Sequence, residues 1–208
     1  MTTTTPVAAA AFAPLGLLEH RTGRAVVGRP MELRAIEDAM MAAEGGRLSA
    51  ITVEGEPGIG KTRLLLAARE VAESKGFLSI AVAADEELRG PFLLARSIVG
   101  APELHDAIPG SPAGEAVAAA SSALTGRDDP AFAGMAPDQR LLRSFDLATI
   151  AIRALTAERP LALLIDDLQW ADEDSLRLLR YVIRTEGGSP IFLLFAVRPE
   201  ELATLTEA

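Results

Sequence analysis

The chain has 208 residues, of which 49% are hydrophobic and 24% charged, a composition typical of globular proteins and not of disordered ones. Its formal net charge of -9 argues against a free-standing nucleic-acid-binding protein, which needs a dense basic face. The absence of cysteine excludes disulfides and zinc–thiolate sites, and two histidines are too few for a multi-histidine metal site.

The N-terminal segment carries no pattern of regular structure. We expect residues 1–24 to form a mobile tail and residues 25–208 to form one core. No apolar run reaches the roughly 18 residues that a membrane helix needs. The N-terminus also lacks the basic residues that open a secretory signal. We therefore expect a cytoplasmic protein with no membrane partner.

The first half of the core predicts alternating helices and strands. A helix begins at Pro30 and ends at the glycines at 45–46, and a buried strand follows at Ser49–Glu54. A helix over residues 61–74 and a strand over residues 77–83 come next. Residues 84–137 are rich in Gly, Pro and Ala. They predict helices near 91–99 and 114–124, with loops over 109–114 and 126–137.

The second half continues the alternation. Asp138 can cap a long apolar-periodic helix, and residues 161–165 form a continuous apolar strand. Asp174 or Ser175 opens a further helix, which glycines at 187–188 terminate before a last strand at Ile191–Val197. Apolar strands that alternate with helices indicate an α/β fold with a parallel sheet covered on both faces. Ligands bind at the carboxyl ends of such strands.

A glycine-rich loop follows the first strand and fits the pattern G-x-x-x-x-G-K-[ST]. Its glycines let the backbone wrap a phosphate, and the helix that follows adds a positive N-terminal end. The pattern predicts that the site binds ATP or ADP, that Lys61 contacts the β-phosphate and, in ATP, the γ-phosphate, and that the Thr62 hydroxyl ligates Mg²⁺. The predicted nucleotide-binding residues of this loop are Gly55, Pro57, Gly58, Ile59, Gly60, Lys61, Thr62 and Arg63.

Two acids end the strand at 161–165. We interpret Asp166 as a Mg²⁺ ligand and Asp167 as the group that polarises the attacking water. Strands often end in solvated acids, so this interpretation depends on the glycine-rich loop.

Arg198 follows the last strand, where it can sense or stabilise the γ-phosphate; the alternative is a solvated arginine. Before the first helix, Val27 and Gly28 can cover the adenine, with Arg29 near the ribose or a phosphate. The alternative there is a plain helix N-terminus.

Together these segments resemble one family. Residues 26–33 (VVGRPMEL) are similar to the opening of AAA-type ATPase modules, and residues 55–62 to their Walker A loop. Residues 163–172 (LLIDDLQWAD) resemble the Walker B segment of STAND signal-transduction ATPases, and residues 195–201 their sensor-1 strand. Residues 85–94 resemble a loop of large LuxR-type bacterial transcriptional regulators, whose N-terminal ATPase domain is the most similar module.

The resemblance implies a P-loop NTPase three-layer sandwich that works as an ATP-dependent switch. Nucleotide state would control self-association and an output domain, and hydrolysis would be slow. Lys61 and Thr62 match the Walker A pair, Asp166 and Asp167 the Walker B pair, and Arg198 the sensor-1 arginine. The family continues into a fifth strand, a lid and a DNA-binding domain, so we expect a core truncated before those parts. The strand of the phosphate loop would then lie at an exposed, apolar sheet edge.

Two other functions compete with this hypothesis. The first is a scaffold that binds nucleotide without hydrolysing it, which the missing lid favours and Asp167 and Arg198 oppose. The second is a P-loop kinase, which the late position of the paired acids and the extra strand Ile191–Val197 oppose. The charge disfavours direct nucleic-acid binding by this chain.

Overall fold

The computed structural model describes residues 28–88, 90–107, 110–125, 132 and 134–199. Its helices are α1 (Pro30–Glu44), α2 (Lys61–Ser74), α3 (Leu93–Val99), α4 (Pro102–Ala107), α5 (Pro112–Thr125), α6 (Pro137–Glu158) and α7 (Glu173–Thr185). Its strands are β1 (Ser49–Glu54), β2 (Leu78–Ala83), β3 (Leu161–Asp166) and β4 (Ile191–Val197). The expected tail, residues 1–24, lies outside the described residues, as does most of the expected loop over 126–137.

The four strands form one sheet in the order β1-β4-β3-β2, and all pairs are parallel. Every residue of β3 and β4 is buried. Alternate side chains of these strands point to opposite faces, where two hydrophobic clusters lie. Helices α1 and α2 cover one face, and α3 to α7 supply the packing partners on the other. The predicted three-layer α/β fold is therefore confirmed.

Among the strands that the structure describes, β1, the strand of the phosphate loop, lies at the edge of the sheet, where we expected it. The expectation that it is a buried strand is wrong, because its residues alternate between half-buried and exposed. Ile51 and Val53 pack on the cluster beneath α1 and α2, whereas Ala50, Thr52 and Glu54 are exposed. The exposed edge is thus less apolar than the run of residues suggested.

The middle of the chain differs most from the prediction. Helix α4 was not predicted, and α5 begins at Pro112, inside the loop expected over residues 109–114. Proline suits the first turn of a helix because its missing N–H would have no partner there. The other predicted elements are present, with ends that match the prediction or differ from it by at most three residues.

The starts of α6 and α7 also differ from the prediction. Helix α6 begins at Pro137, after Ala136 whose N–H donates to Gln139 Oε1 at 3.1 Å, so Asp138 is not its cap. Helix α7 is capped by Asp172 and not by Asp174 or Ser175. Within the described residues, no helix is long and apolar enough to cross a membrane.

Candidate functional site

The ends of β1, β3 and β4 meet at one edge of the sheet, because parallel strands end on the same side. A cavity of 310 Å³ lies there. The glycine-rich loop, both strand-end acids and Arg198 all contribute to its wall. Its lining residues are Pro57, Gly58, Gly60, Lys61, Thr62, Arg63, Leu66, Asp166, Asp167 and Arg198.

The loop between β1 and α2 has a backbone that only glycine adopts easily. Gly58 and Gly60 have φ angles of +84° and +93°, and no other atom lies within 4 Å of a Cβ built at either position. Gly55 is tied to the sheet through its N–H, which donates to the Val197 carbonyl at 3.3 Å. The side chain of Ile59 folds over Gly55, since a Cβ at Gly55 would lie 2.0 Å from Ile59 Cδ1. The loop therefore presents bare backbone to the cavity.

Lys61, the first residue of α2, is buried. Its Nζ donates to the carbonyl oxygens of Gly55 at 2.7 Å and Glu56 at 3.2 Å. The ammonium group is thus held across the mouth of the loop by main-chain acceptors. A bound phosphate would offer it a charged acceptor, which forms a stronger hydrogen bond than a carbonyl does.

Thr62 and Asp166 join the loop to the sheet, since the Thr62 hydroxyl donates to Asp166 Oδ2. The Asp167 N–H donates to Asp166 Oδ1 at 2.9 Å. Burial raises the pKa of the Asp166 carboxyl above its ordinary value. The Asp167 charge adds to this increase, whereas the two hydrogen bonds and the Lys61 charge oppose it.

This pair of oxygen-bearing side chains fits Mg²⁺, a hard cation that prefers oxygen ligands. Among the described residues, no three acidic or histidine side chains cluster as a metal site. An ion held by Thr62 and Asp166 would therefore take its remaining ligands from phosphate oxygens and water, as Mg²⁺ commonly does. The bare backbone at Gly58 and Gly60 fits the phosphates in the same way.

Asp167 has a left-handed backbone, with φ +49°, a conformation that non-glycine residues seldom adopt. Its Oδ1 accepts a hydrogen bond from Gln169 Nε2 at 2.8 Å and lies 3.5 Å from Arg198 Nε. Within the described part of the chain, its Oδ2 accepts no hydrogen bond. One oxygen thus fixes the carboxylate, and the other is free to accept a proton or orient a water.

Arg198 lies at the end of β4 with its guanidinium 5.7 Å from the centre of the Trp170 ring. The backbone N–H of Arg198 donates to Gln169 Oε1 at 3.3 Å. The Gln169 amide therefore bridges Asp167 and Arg198. The sequence alone does not identify Gln169 as part of the site. The only available signal was a polar residue in the turn that follows the two acids.

Arg29 contacts the outside of the loop, where its Nη2 donates to the Ile59 carbonyl at 2.6 Å. Its Nη1 lies 4.0 Å from the Glu32 carboxylate. Gly28 precedes it with φ +88°. Val27 lies outside the described residues, and the expected adenine contact stays a prediction. Arg29 contacts the phosphate loop, and its expected place near the ribose or a phosphate also stays a prediction.

A profile of the AAA ATPase domain matches residues 25–194, a span that includes the glycine-rich loop and the paired acids. No curated protein matches the chain. The matched span covers most of the chain and agrees with the resemblance of its segments to AAA-type modules. It carries no information on LuxR-type regulators.

Proposed function

We propose that this chain, which belongs to the AAA ATPase domain family, binds Mg-ATP and hydrolyses it slowly as a regulatory switch. Family membership makes it a nucleotide-binding, ATPase-type module. Beyond family membership, we propose that the nucleotide is ATP, that the chain hydrolyses it and that the chain has a regulatory role.

The observation that carries the proposal is the composition of the 310 Å³ cavity. It gathers the bare loop backbone, a lysine, a threonine–aspartate pair, a second aspartate and an arginine. These are the groups that phosphoryl transfer requires, since catalysis of that reaction is mostly positioning and charge stabilisation. Residues 25–208 would form the core of the module.

In the proposed reaction, the loop N–H groups and the N-terminus of α2 bind the phosphates. Lys61 exchanges the Gly55 and Glu56 carbonyls for phosphate oxygens. Mg²⁺, held by Thr62 and Asp166, would neutralise charge on the β- and γ-phosphates when bound. Asp167 Oδ2 orients the water that attacks the γ-phosphorus, and Arg198 stabilises the charge that develops on the γ-oxygens.

The contact between Arg198 and Asp167 supports the switch. The Arg198 guanidinium has the Asp167 carboxylate and the Trp170 ring as partners. A γ-phosphate offers a competing anion, so nucleotide state would alter which partners Arg198 keeps. Among the described strands β1 forms one edge of the sheet, and this supports self-association, because backbone groups at an edge can pair with another strand. A cytoplasmic signalling role, as in LuxR-type regulators, rests on the sequence resemblance.

One feature favours a second candidate, a scaffold that binds nucleotide without hydrolysing it. Gln169 and Arg198 both contact Asp167 Oδ1, Arg198 at 3.5 Å. If the Arg198 contact persists with ATP bound, the guanidinium would not be available to the charge that develops on the γ-oxygens, and nucleotide would bind without being hydrolysed.

Phosphate release under single-turnover conditions separates the two candidates. For a hydrolase, we expect wild-type turnover that falls about 100-fold or more in Asp167→Ala, the usual effect of losing a general base. Mg-ATP affinity should stay unchanged in that variant. Asp174→Ala is the matched control, since Asp174 lies in α7 against Arg177 and outside the cavity lining. Tight binding with no phosphate release by the wild type would favour the scaffold.

A further inference from the structure

One carboxylate caps two helices. Asp172 Oδ1 accepts hydrogen bonds from the N–H groups of Ser175 at 2.9 Å and Phe92 at 2.8 Å. Its Oδ2 accepts from the Leu94 N–H at 3.1 Å and the Ser175 hydroxyl at 2.7 Å. Ser175 belongs to α7, whereas Phe92 and Leu94 lie at the start of α3, about 80 residues earlier in the chain. The side chain therefore fixes the start of α3 against the start of α7.

Ser175 extends the same connection. Its hydroxyl, which donates to Asp172, also accepts the Ala95 N–H at 3.0 Å, and its side chain is buried. Three backbone N–H donors at the start of α3, those of Phe92, Leu94 and Ala95, thus depend on Asp172 directly or through Ser175. Phe92 has a left-handed backbone, with φ +57°, which non-glycine residues seldom adopt. The start of α3 is consequently held in place by partners outside its own helix.

On its other side, Asp172 is connected to the phosphate end of the cavity by a single 3₁₀ turn, Leu168–Trp170. The Trp170 N–H donates to the Asp167 carbonyl at 2.9 Å, and the Ala171 N–H donates to the Leu168 carbonyl at 3.0 Å. Leu168 is buried in the core. Gln169 adds the contacts to Asp167 and Arg198 described above. The turn is thus closed by hydrogen bonds along its length and has little freedom to absorb a displacement.

Beyond α3, aromatic contacts continue into the long helices. The Phe92 ring meets Phe145 of α6 edge-on with ring centres 6.2 Å apart, and Phe145 lies 5.4 Å from the Tyr181 ring of α7. A change at the start of α3 therefore reaches the side chains between α6 and α7. These three rings belong to a further hydrophobic cluster, which also includes Ala95 of α3 and Val182 of α7.

We propose that Asp172 is a positioning residue that couples the γ-phosphate end of the cavity to the start of α3. Changes at Asp167, Gln169 or Arg198 move the 3₁₀ turn, and the Asp172 carboxylate transmits that movement to the Phe92, Leu94 and Ala95 amides. The nucleotide-dependent part of this proposal rests on the proposed function. The mechanical link from Gln169 to α3 does not.

Hydrogen–deuterium exchange of peptides covering residues 90–97 measures the link directly. Asp172→Asn replaces one of the two acceptor oxygens with an amide nitrogen and removes the charge of the other. We expect exchange there to rise about tenfold or more, the usual effect of losing hydrogen bonds to a charged acceptor. Asp174→Asn makes the same chemical change two residues away, where the carboxylate only approaches Arg177 at 3.8 Å, and should leave these peptides unchanged. Circular dichroism and Tm confirm that each variant is folded.

The coupling itself is tested without nucleotide by Gln169→Ala. This variant should accelerate exchange of the same peptides in the wild-type background and have no additional effect in Asp172→Asn. Ser175→Ala, a milder change, should expose the Ala95 amide and reduce the Gln169→Ala effect in part. Equal effects of Gln169→Ala in both backgrounds, or none in the wild type, would overturn the proposal.

Adding Mg-ATP tests the nucleotide-dependent part of the coupling. It should change exchange over residues 90–97 in the wild type and in Asp174→Asn but not in Asp172→Asn, with binding measured in the same samples. Bound nucleotide with no change at α3 in the wild type would overturn the coupling and leave the proposed function intact. A folded wild type that binds no nucleotide would refute the proposed function, and the Gln169→Ala comparison would still decide the link.

Discussion

Substituting Gly58 by alanine separates two consequences of the loop geometry. Its φ of +84° is disfavoured for any residue with a Cβ, at about 1–2 kcal/mol per residue. No other atom lies within 4 Å of the added Cβ, so we expect no steric clash beyond this backbone strain. For a chain of this size, each kcal/mol lowers Tm by about 2–4 °C, so Gly58→Ala should lower Tm by about 2–8 °C.

The same methyl group should also weaken nucleotide binding. Gly58 lines the cavity, and its Cβ would occupy the space that a phosphate needs beside the loop N–H groups. Losing one hydrogen bond to a charged phosphate corresponds to about tenfold or more in Kd. Differential scanning fluorimetry gives the stability, and calorimetric titration with Mg-ATP gives the affinity.

Two other glycines are matched controls. Gly76 has φ +83° and equally open surroundings but lies after α2, away from the cavity, so Gly76→Ala should lower Tm similarly and leave affinity unchanged. Gly187 also has open space, with no left-handed φ, so Gly187→Ala should be close to neutral in both. If Gly58→Ala binds Mg-ATP as tightly as the wild type does, the assignment of this loop as the phosphate-binding loop is refuted. An unchanged Tm in Gly76→Ala would refute the strain argument.

Other substitutions test single contacts of the site. In Arg198→Ala, we expect Mg-ATP still to bind and turnover to fall about 10-fold or more. The fluorescence of Trp170, the only tryptophan, should lose its response to ATP. A full fluorescence response in this variant would contradict the proposed contact between Arg198 and the γ-phosphate. Asp166→Asn should raise the Tm of the nucleotide-free protein at neutral pH but abolish its stabilisation by Mg-ATP. Because burial raises the pKa of Asp166, the folded protein holds this proton more tightly than the unfolded chain does. The Tm advantage of the variant should therefore grow as pH rises from the ordinary carboxyl pKa through the raised one, and a constant difference would contradict this. Arg29→Ala removes the hydrogen bond to the Ile59 carbonyl. Because this hydrogen bond is exposed, Mg-ATP binding should weaken only about two- to fivefold. A loss of affinity as large as that in Gly58→Ala would mean that Arg29 contacts the nucleotide itself.

The elements that the sequence predicted best are those whose pattern is complete within a few residues. Ile191–Val197 is apolar throughout because both faces of β4 are covered, and its bounds were predicted without error. The glycine-rich loop is also local, because the glycines that shape its backbone and the Lys61 and Thr62 side chains expected to act on phosphate and Mg²⁺ lie within eight consecutive residues. Strand β1 shows the limit, because its half-exposed state depends on its place in the sheet and not on its own residues.

Contacts between distant segments were not predictable in this way. Asp172, Asp174 and Ser175 are all good helix caps, and only the position of α3 against α7 distinguishes Asp172. Gln169 likewise acquires its bridge between Asp167 and Arg198 when β3 and β4 align side by side. Short helix α4 has no apolar period long enough to identify it.

The most direct test of the account is a calorimetric titration of the wild type, Lys61→Ala and Lys75→Ala with Mg-ATP and Mg-ADP. The chain has only these two lysines, and Lys75 lies at the far end of α2, 3.7 Å from Glu44. We predict micromolar binding by the wild type, the same affinity in Lys75→Ala, and a loss of about 100-fold or more in Lys61→Ala, whose ammonium would contact the phosphates. A folded Lys61→Ala variant that binds Mg-ATP as tightly as the wild type would contradict the account.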